Sequence, residues 1–163
     1  MDDALIELAK KLAHDLKVSG LSMATAESCT GGWIAQALTS IPGSSRWFER
    51  GFVTYSNMSK RELLGVKTDT LARFGAVSEQ TARAMASGAL AHSHADLAVA
   101  VTGIAGPGGG TAEKPVGTVC FAWAGREQEV RSITRHFSGD RQEIRGQSVA
   151  AAIEGLVEYL GHS

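Results

Sequence analysis

The feature that most constrains this chain is the apolar run Leu97-Ala98-Val99-Ala100-Val101, which leads almost at once into Gly103-Ile104-Ala105-Gly106-Pro107-Gly108-Gly109-Gly110. A run with no polar alternate predicts a strand buried on both sides, and such strands belong to sheets with helices on each face. The flanking segments supply those helices. Leu5, Leu8, Leu12 and Leu16, with Ala9 and Ala13, recur at helical spacing; Asp2 or Asp3 can cap the start, and Gly20 suits the end. Ser78 is placed to cap a longer helix through about Ala91, with Ala82, Met85, Ala86 and Ala89 as a small-residue inner face. Asp140 and Glu143 have capping-box spacing ahead of a closing stripe of Val149, Ile153, Leu156, Val157 and Leu160.

Between these lie Leu21 to Ala26 as a short strand, Trp33 to Leu38 as a helix, a turn at Pro42 to Ser45, and Phe52 to Tyr55 as a second strand. A short helix follows and stops near Gly65, capped by Ser56, Asn57 or Ser59, the last paired with Glu62 at capping-box spacing. Val116 to Trp123 and Glu127 to Phe137 read as a hairpin turned at Gly125-Arg126, where glycine in the first turn position suits a type II′ turn. The order is α-β-α-β-α-α-β, then the hairpin, then α. It predicts an α/β chain with a three-layer α/β/α sandwich around a mixed, mostly parallel sheet.

A length of 163 residues suffices for one core, so a single domain over residues 1–163 is expected. With 16 Lys and Arg against 17 Asp and Glu, the chain lacks the cation surplus of a nucleic-acid binder, although one or two arginines could hold a small phosphorylated ligand. Its apolar stretches are too short for the ~20 residues that span a bilayer. The acidic start Met1-Asp2-Asp3 is unlike a signal peptide, and Cys29 and Cys120 read as reduced thiols of a cytoplasmic protein. His14, His92, His94, His136 and His162 show no zinc spacing with acids or cysteines, so no metal site is expected; no cofactor is expected either. Trp47 and Phe48 suit either a subunit contact of a homo-oligomer or the core.

Chemistry in such sheets gathers on loops at the carboxyl edge of the strands. Ser28-Cys29-Thr30-Gly31-Gly32 puts a hydroxyl on a strand-to-helix turn, where free N–H groups can stabilise negative charge. Ser28 or Thr30 could equally do no more than cap the helix, and Cys29 competes with Ser28 as a nucleophile. Tyr55 and Lys60 converge only if Tyr55 ends the strand and Lys60 begins the helix. A neutral lysine can act as a base, although moving its pKa from ~10.4 toward ~7–8 costs about 4 kcal/mol, and a solvated surface lysine is the plain alternative. Tyr55 and Lys60 are one residue too far apart for a Tyr-x-x-x-Lys dehydrogenase pair, and Asn57 stands where a Ser-x-x-Lys pair needs serine. The glycine-rich run can form a nest for an anion but is no Walker A loop. Arg141 and Arg145, four apart near the start of the last helix, share a face and suit a phosphate or an ordinary surface pair.

Five segments together carry a resemblance: Ala26-Glu27-Ser28-Cys29-Thr30-Gly31-Gly32; Gly51-Phe52-Val53-Thr54-Tyr55-Ser56-Asn57 through Lys60; Gly75-Ala76-Val77-Ser78; Thr102 through Thr118; and Gly139-Asp140-Arg141. In that order, over nearly the whole chain, they resemble the CinA C-terminal domain family, whose stand-alone members are nicotinamide-nucleotide amidases. The resemblance implies a three-layer α/β/α fold and hydrolysis of the carboxamide of nicotinamide mononucleotide (NMN) to nicotinic acid mononucleotide and ammonia, a step in pyridine nucleotide recycling toward NAD. It also implies serine–lysine amidase chemistry without a metal. On that basis Ser28 is the expected nucleophile, Lys60 its base and Tyr55 an auxiliary proton-transfer or orienting group. Thr30, Gly31, Gly32, Thr102, Gly103, Arg141 and Arg145 are the expected substrate-binding residues, with both arginines toward the phosphate and Glu27 in a structural hydrogen-bonding role. The alternatives are a serine amidase for another primary amide and a non-catalytic nucleotide sensor.

Overall fold

The computed structural model describes residues 2–161; Met1 and His162, considered above, lie outside the described residues. Its centre is a five-stranded sheet of order β2-β1-β3-β4-β5, formed by β1 (Met23–Glu27), β2 (Phe48–Val53), β3 (Leu97–Gly103), β4 (Thr118–Gly125) and β5 (Gln128–His136). β1 pairs in parallel with β2 and β3, and β4 pairs antiparallel with β3 and β5. Four strands therefore point one way and β4 alone runs against them, the mixed sheet expected.

The two sheet faces differ in side-chain size. Leu97, Val99 and Val101 of β3, with Val119, Phe121 and Trp123 of β4, pack against α1 (Asp3–Ser19), α2 (Trp33–Thr39) and α6 (Arg141–Gly161). Ala98, Ala100, Cys120, Ala122 and Ala124 alternate with them and meet α5 (Glu79–Ala91), whose own contact face is Ala82, Met85, Ala86 and Ala89. Small against small lets α5 approach the sheet closely. α3 (Asn57–Leu64) and α4 (Thr68–Phe74) pack on α5 in that layer. Burial on both faces explains why β3 reads as a continuous apolar run.

Several local expectations are met. The Asp2 side chain caps α1, Gly20 ends it in the left-handed conformation, Ser78 caps α5, and Asp140 and Glu143 exchange the two hydrogen bonds of a capping box at 2.9 Å each. Others shift. β2 begins at Phe48, before the expected Phe52, because its register is set by pairing with β1 from Met23 to Glu27. As the sheet's edge it tolerates the polar Glu49 and Arg50 that hid it in the sequence. The capping box of α3 is Ser56 with Ser59, not Ser59 with Glu62: Ser56 is extended, so Ser59 already lies inside the first turn. α4 was not singled out by the sequence pattern. The hairpin turns at Arg126-Glu127, one residue later than expected, with Gly125 paired to Gln128. Neither central residue has positive φ, so the turn is not type II′, and the ladder is irregular between Trp123 and Gly125. Trp47 is buried, which assigns it to the core.

Candidate active site

The crossover from β1 to β2 runs through α2 on one face of the sheet, and that from β2 to β3 through α3, α4 and α5 on the other. A crevice opens at such a switch point, beyond the carboxyl ends of the strands. Ser28 follows β1 directly, at that point. Its N–H is tied to Val101 O of β3 (3.0 Å), which holds the residue against the neighbouring strand.

Glu27, the last residue of β1, is fully buried and caps α2 from the strand. Its carboxylate accepts from Ile34 N at 2.9 Å, Ala35 N at 3.0 Å and the Thr30 hydroxyl. The residue in the cap position, Gly32, has no side chain to do this and holds φ at 103°. The capping alternative for Ser28 and Thr30 is thereby removed. Neither side chain accepts from the helix, and the Ser28 hydroxyl is left for other use.

α3 brings up the lysine. Its Ser56 cap fixes the start, so that Lys60, at the end of the first turn, reaches the segments that follow β1 and β2. Lys60 is only 1% exposed; its Nζ lies 3.1 Å from Ser28 Oγ and donates to Thr54 O at 3.0 Å. No carboxylate pairs with it among the described residues. Burial pushes its pKa below the usual lysine range. The alternative of a solvated surface lysine is thereby removed. Cys29, beside it, is raised to about 12, chiefly by burial and further by Glu27, so its thiol stays protonated and is a poor nucleophile.

A cavity of about 280 Å³ opens over this pair, walled by Ser28, Cys29, Tyr55, Asn57, Lys60, the Ala76-Val77 segment, Thr102 to Gly106, Gly108, Gly109 and Arg141. Arg141 closes one side, donating to Gly106 O at 2.6 Å and to the Tyr55 hydroxyl at 2.8 Å. Among the described residues no group of three or more His, Cys, Asp or Glu side chains is gathered for a metal, and no helix is long and apolar enough to cross a membrane.

The model of the CinA C-terminal domain matches residues 5–160. The chain belongs to this family. The nicotinamide-nucleotide amidohydrolase PncC of Escherichia coli K12 is 53% identical over 157 residues, covering 95% of this chain and 94% of that protein. The protein of the same name from Pseudomonas putida is 50% identical over 156 residues, covering 96% and 97%. The crystal structure of the competence/damage inducible protein CihA from Agrobacterium tumefaciens superposes with a TM-score of 0.95 at 53% identity, covering 99% of this chain and 98% of that one.

Within this CinA domain, Ser28, Lys60, Tyr55, Thr102, Gly103 and Arg141 come together around the one cavity. Tyr55 touches Arg141 and is 60% exposed, at the mouth and not on the Ser28–Lys60 pair. Thr102 is buried and donates to Ala76 O at 2.8 Å, bracing the wall. Four expected binding residues are not brought to the cavity. Thr30 is buried against Glu27, Gly31 and Gly32 turn the chain into α2, and Arg145 reaches the outside of the Ser28 turn. Sequence reasoning missed the Ala76-Val77 wall and Asn57, whose positions depend on how α5 and α3 dock. A motif containing Gly75-Ala76-Val77-Ser78 was the available signal.

Proposed function

We propose that this CinA domain is a carbon–nitrogen hydrolase that deamidates NMN to nicotinic acid mononucleotide and ammonia in the cytoplasm, with Ser28 as nucleophile and Lys60 as base. The observation that carries the reading is the 3.1 Å approach of a buried amine, without a carboxylate partner among the described residues, to a serine hydroxyl that caps nothing. The amidohydrolase name of relatives that align over nearly their whole length supports the choice of substrate.

Lys60, neutral, takes the Ser28 Oγ proton as Oγ attacks the carboxamide carbon. The carbonyl oxygen becomes an oxyanion beside the backbone N–H groups of the Ser28 turn, where each donor is worth about 3 kcal/mol. The proton passes from Lys60 to the leaving nitrogen, the C–N bond breaks, and ammonia departs from a nicotinyl ester on Ser28. A water then gives its proton to Lys60 and attacks the ester carbon, and Ser28 recovers the proton as the acid leaves. Arg141 has N–H groups beyond the two it uses for Gly106 and Tyr55, and these meet the phosphate. Tyr55, held by Arg141, orients the ribose phosphate end at the mouth.

Ammonia release from NMN tests the reading: wild type turns over, Ser28→Ala loses turnover, and Cys29→Ala keeps it. Loss confined to the cysteine variant overturns the assignment. NMN is expected to exceed free nicotinamide in kcat/KM by orders of magnitude; equal rates would point to another primary amide as substrate. Saturable NMN binding without turnover would point to a sensor.

A further inference from the structure

We propose that Arg145 is a positioning residue for the nucleophile turn and not a ligand of the substrate phosphate; the inference rests on the amidase reading. Its guanidinium donates from Nε to Cys29 O and from NH2 to Thr30 O, both at 3.1 Å, so α6 holds two successive carbonyls immediately after Ser28. The group lies over the Trp33 ring, 5.6 Å from its centroid, which fixes it to the first residue of α2. From the other side Glu27 binds the Thr30 hydroxyl and the Ile34 and Ala35 N–H groups. The turn is thus clamped between a buried carboxylate and a half-buried guanidinium.

The direction of the clamp matters for chemistry. The Cys29–Thr30 peptide is trans, and a trans peptide sets its N–H opposite its C=O. By holding Cys29 O toward α6, Arg145 turns the Thr30 N–H away from α6. A cation on the carbonyl also polarises the peptide and strengthens that N–H as a donor. Arg141, one helical turn earlier, makes different contacts, to Gly106 and Tyr55 at the cavity. Two arginines four residues apart therefore divide the work: Arg141 faces the ligand and Arg145 faces the turn that carries the nucleophile.

Steady-state kinetics on NMN and on the corresponding riboside, which lacks the phosphate, separate the two roles. Arg145→Met is expected to lower kcat about 10²-fold, the scale of a small misplacement of reacting groups. KM for NMN stays within about threefold, because the ligand contacts are untouched. Arg145→Lys, which keeps one cation on the carbonyls, recovers part of kcat, and it carries the test if the methionine variant fails to fold by circular dichroism. In both variants the preference for NMN over the riboside persists, whereas Arg141→Met erodes it. A rise in KM or a lost preference for the phosphorylated substrate in the Arg145 variants overturns the proposal, as does unchanged kcat.

A fluorophosphonate probe gives a readout independent of NMN: the Ser28 Oγ–P bond forms, P–F breaks, fluoride leaves and the hydroxyl proton goes to Lys60. Labelling slower in Arg145→Lys than in wild type supports the clamp, and equal labelling overturns it. A wild type that is labelled but releases no ammonia from NMN overturns the substrate reading alone. A wild type that does neither overturns both.

Discussion

At the residue scale the unusual group is Lys60, an amine folded almost wholly out of water with two neutral oxygens as partners. Its pKa is depressed in the folded protein, so the unfolded chain binds the extra proton. Stability from this group is complete above the unfolded value near 10.5, falls as pH drops toward the folded value, and is flat below that. Lys60→Met is therefore expected to raise Tm at neutral pH, with the gain shrinking as pH approaches 10.5, measured by thermal melts across that range. A gain independent of pH would remove desolvation as its cause. The same depression places the acid limb of kcat/KM at the folded Lys60 value, below 10.5, with activity rising as the amine loses its proton. Glu27 contributes through its hydrogen bonds. Glu27→Ala strands the Ile34 and Ala35 N–H groups in the interior, and about 1–3 kcal/mol for each unsatisfied donor is expected in denaturant unfolding.

At the scale of elements, the layer that carries α3 depends on one close approach. A Cβ on Gly88 of α5 would lie 1.9 Å from Leu64 O, at the end of α3. Gly88→Ala must push α3 away and carry Lys60 with it. The expected result is a loss of about 1–3 kcal/mol in stability together with a fall in kcat. Gly146→Ala is the contrast: in α6 its nearest neighbour is the Trp33 ring at 3.4 Å, and the gain in helix propensity of up to ~1 kcal/mol offsets the contact. Paired urea melts of the two variants check this, and a tolerated Gly88→Ala would mean that α3 is not held through α5. Element identity itself was readable from periodicity and caps, as α1, α5 and α6 show. β2 was misplaced because an edge strand can be polar, and the hairpin turn slipped by one residue because pairing to β5, not glycine preference, sets where β4 ends.

At the scale of the whole molecule, the cavity joins the ends of β1 and β3, the segment after β2, and the start of α6, segments scattered over more than two-thirds of the chain. A ligand that bridges them binds only the assembled fold. Nicotinic acid mononucleotide at a hundredfold excess over its Kd is expected to add about 2.7 kcal/mol to stability, seen as a concentration-dependent rise in Tm. Free nicotinamide at equal concentration should give a smaller shift, since it lacks the group that Arg141 meets. Equal shifts would take Arg141 out of recognition.

Local order determined by itself the strands other than the edge strand β2, the main helices, the α/β layering and a short roster of chemical groups, because periodicity and capping act over a few neighbouring residues. The motif resemblance added the family and the pairing of Ser28 with Lys60. Only the tertiary structure decided that Glu27 caps α2 and leaves Ser28 without a capping role, that Lys60 loses its water, and that Arg141 and Arg145 bind different partners. Two residues 32 positions apart meet at 3.1 Å because the sheet order places β1 beside β2 and because α3, packed on α5, carries Lys60 to the segment after β1. Such a meeting comes from the packing of whole elements, which no local pattern encodes.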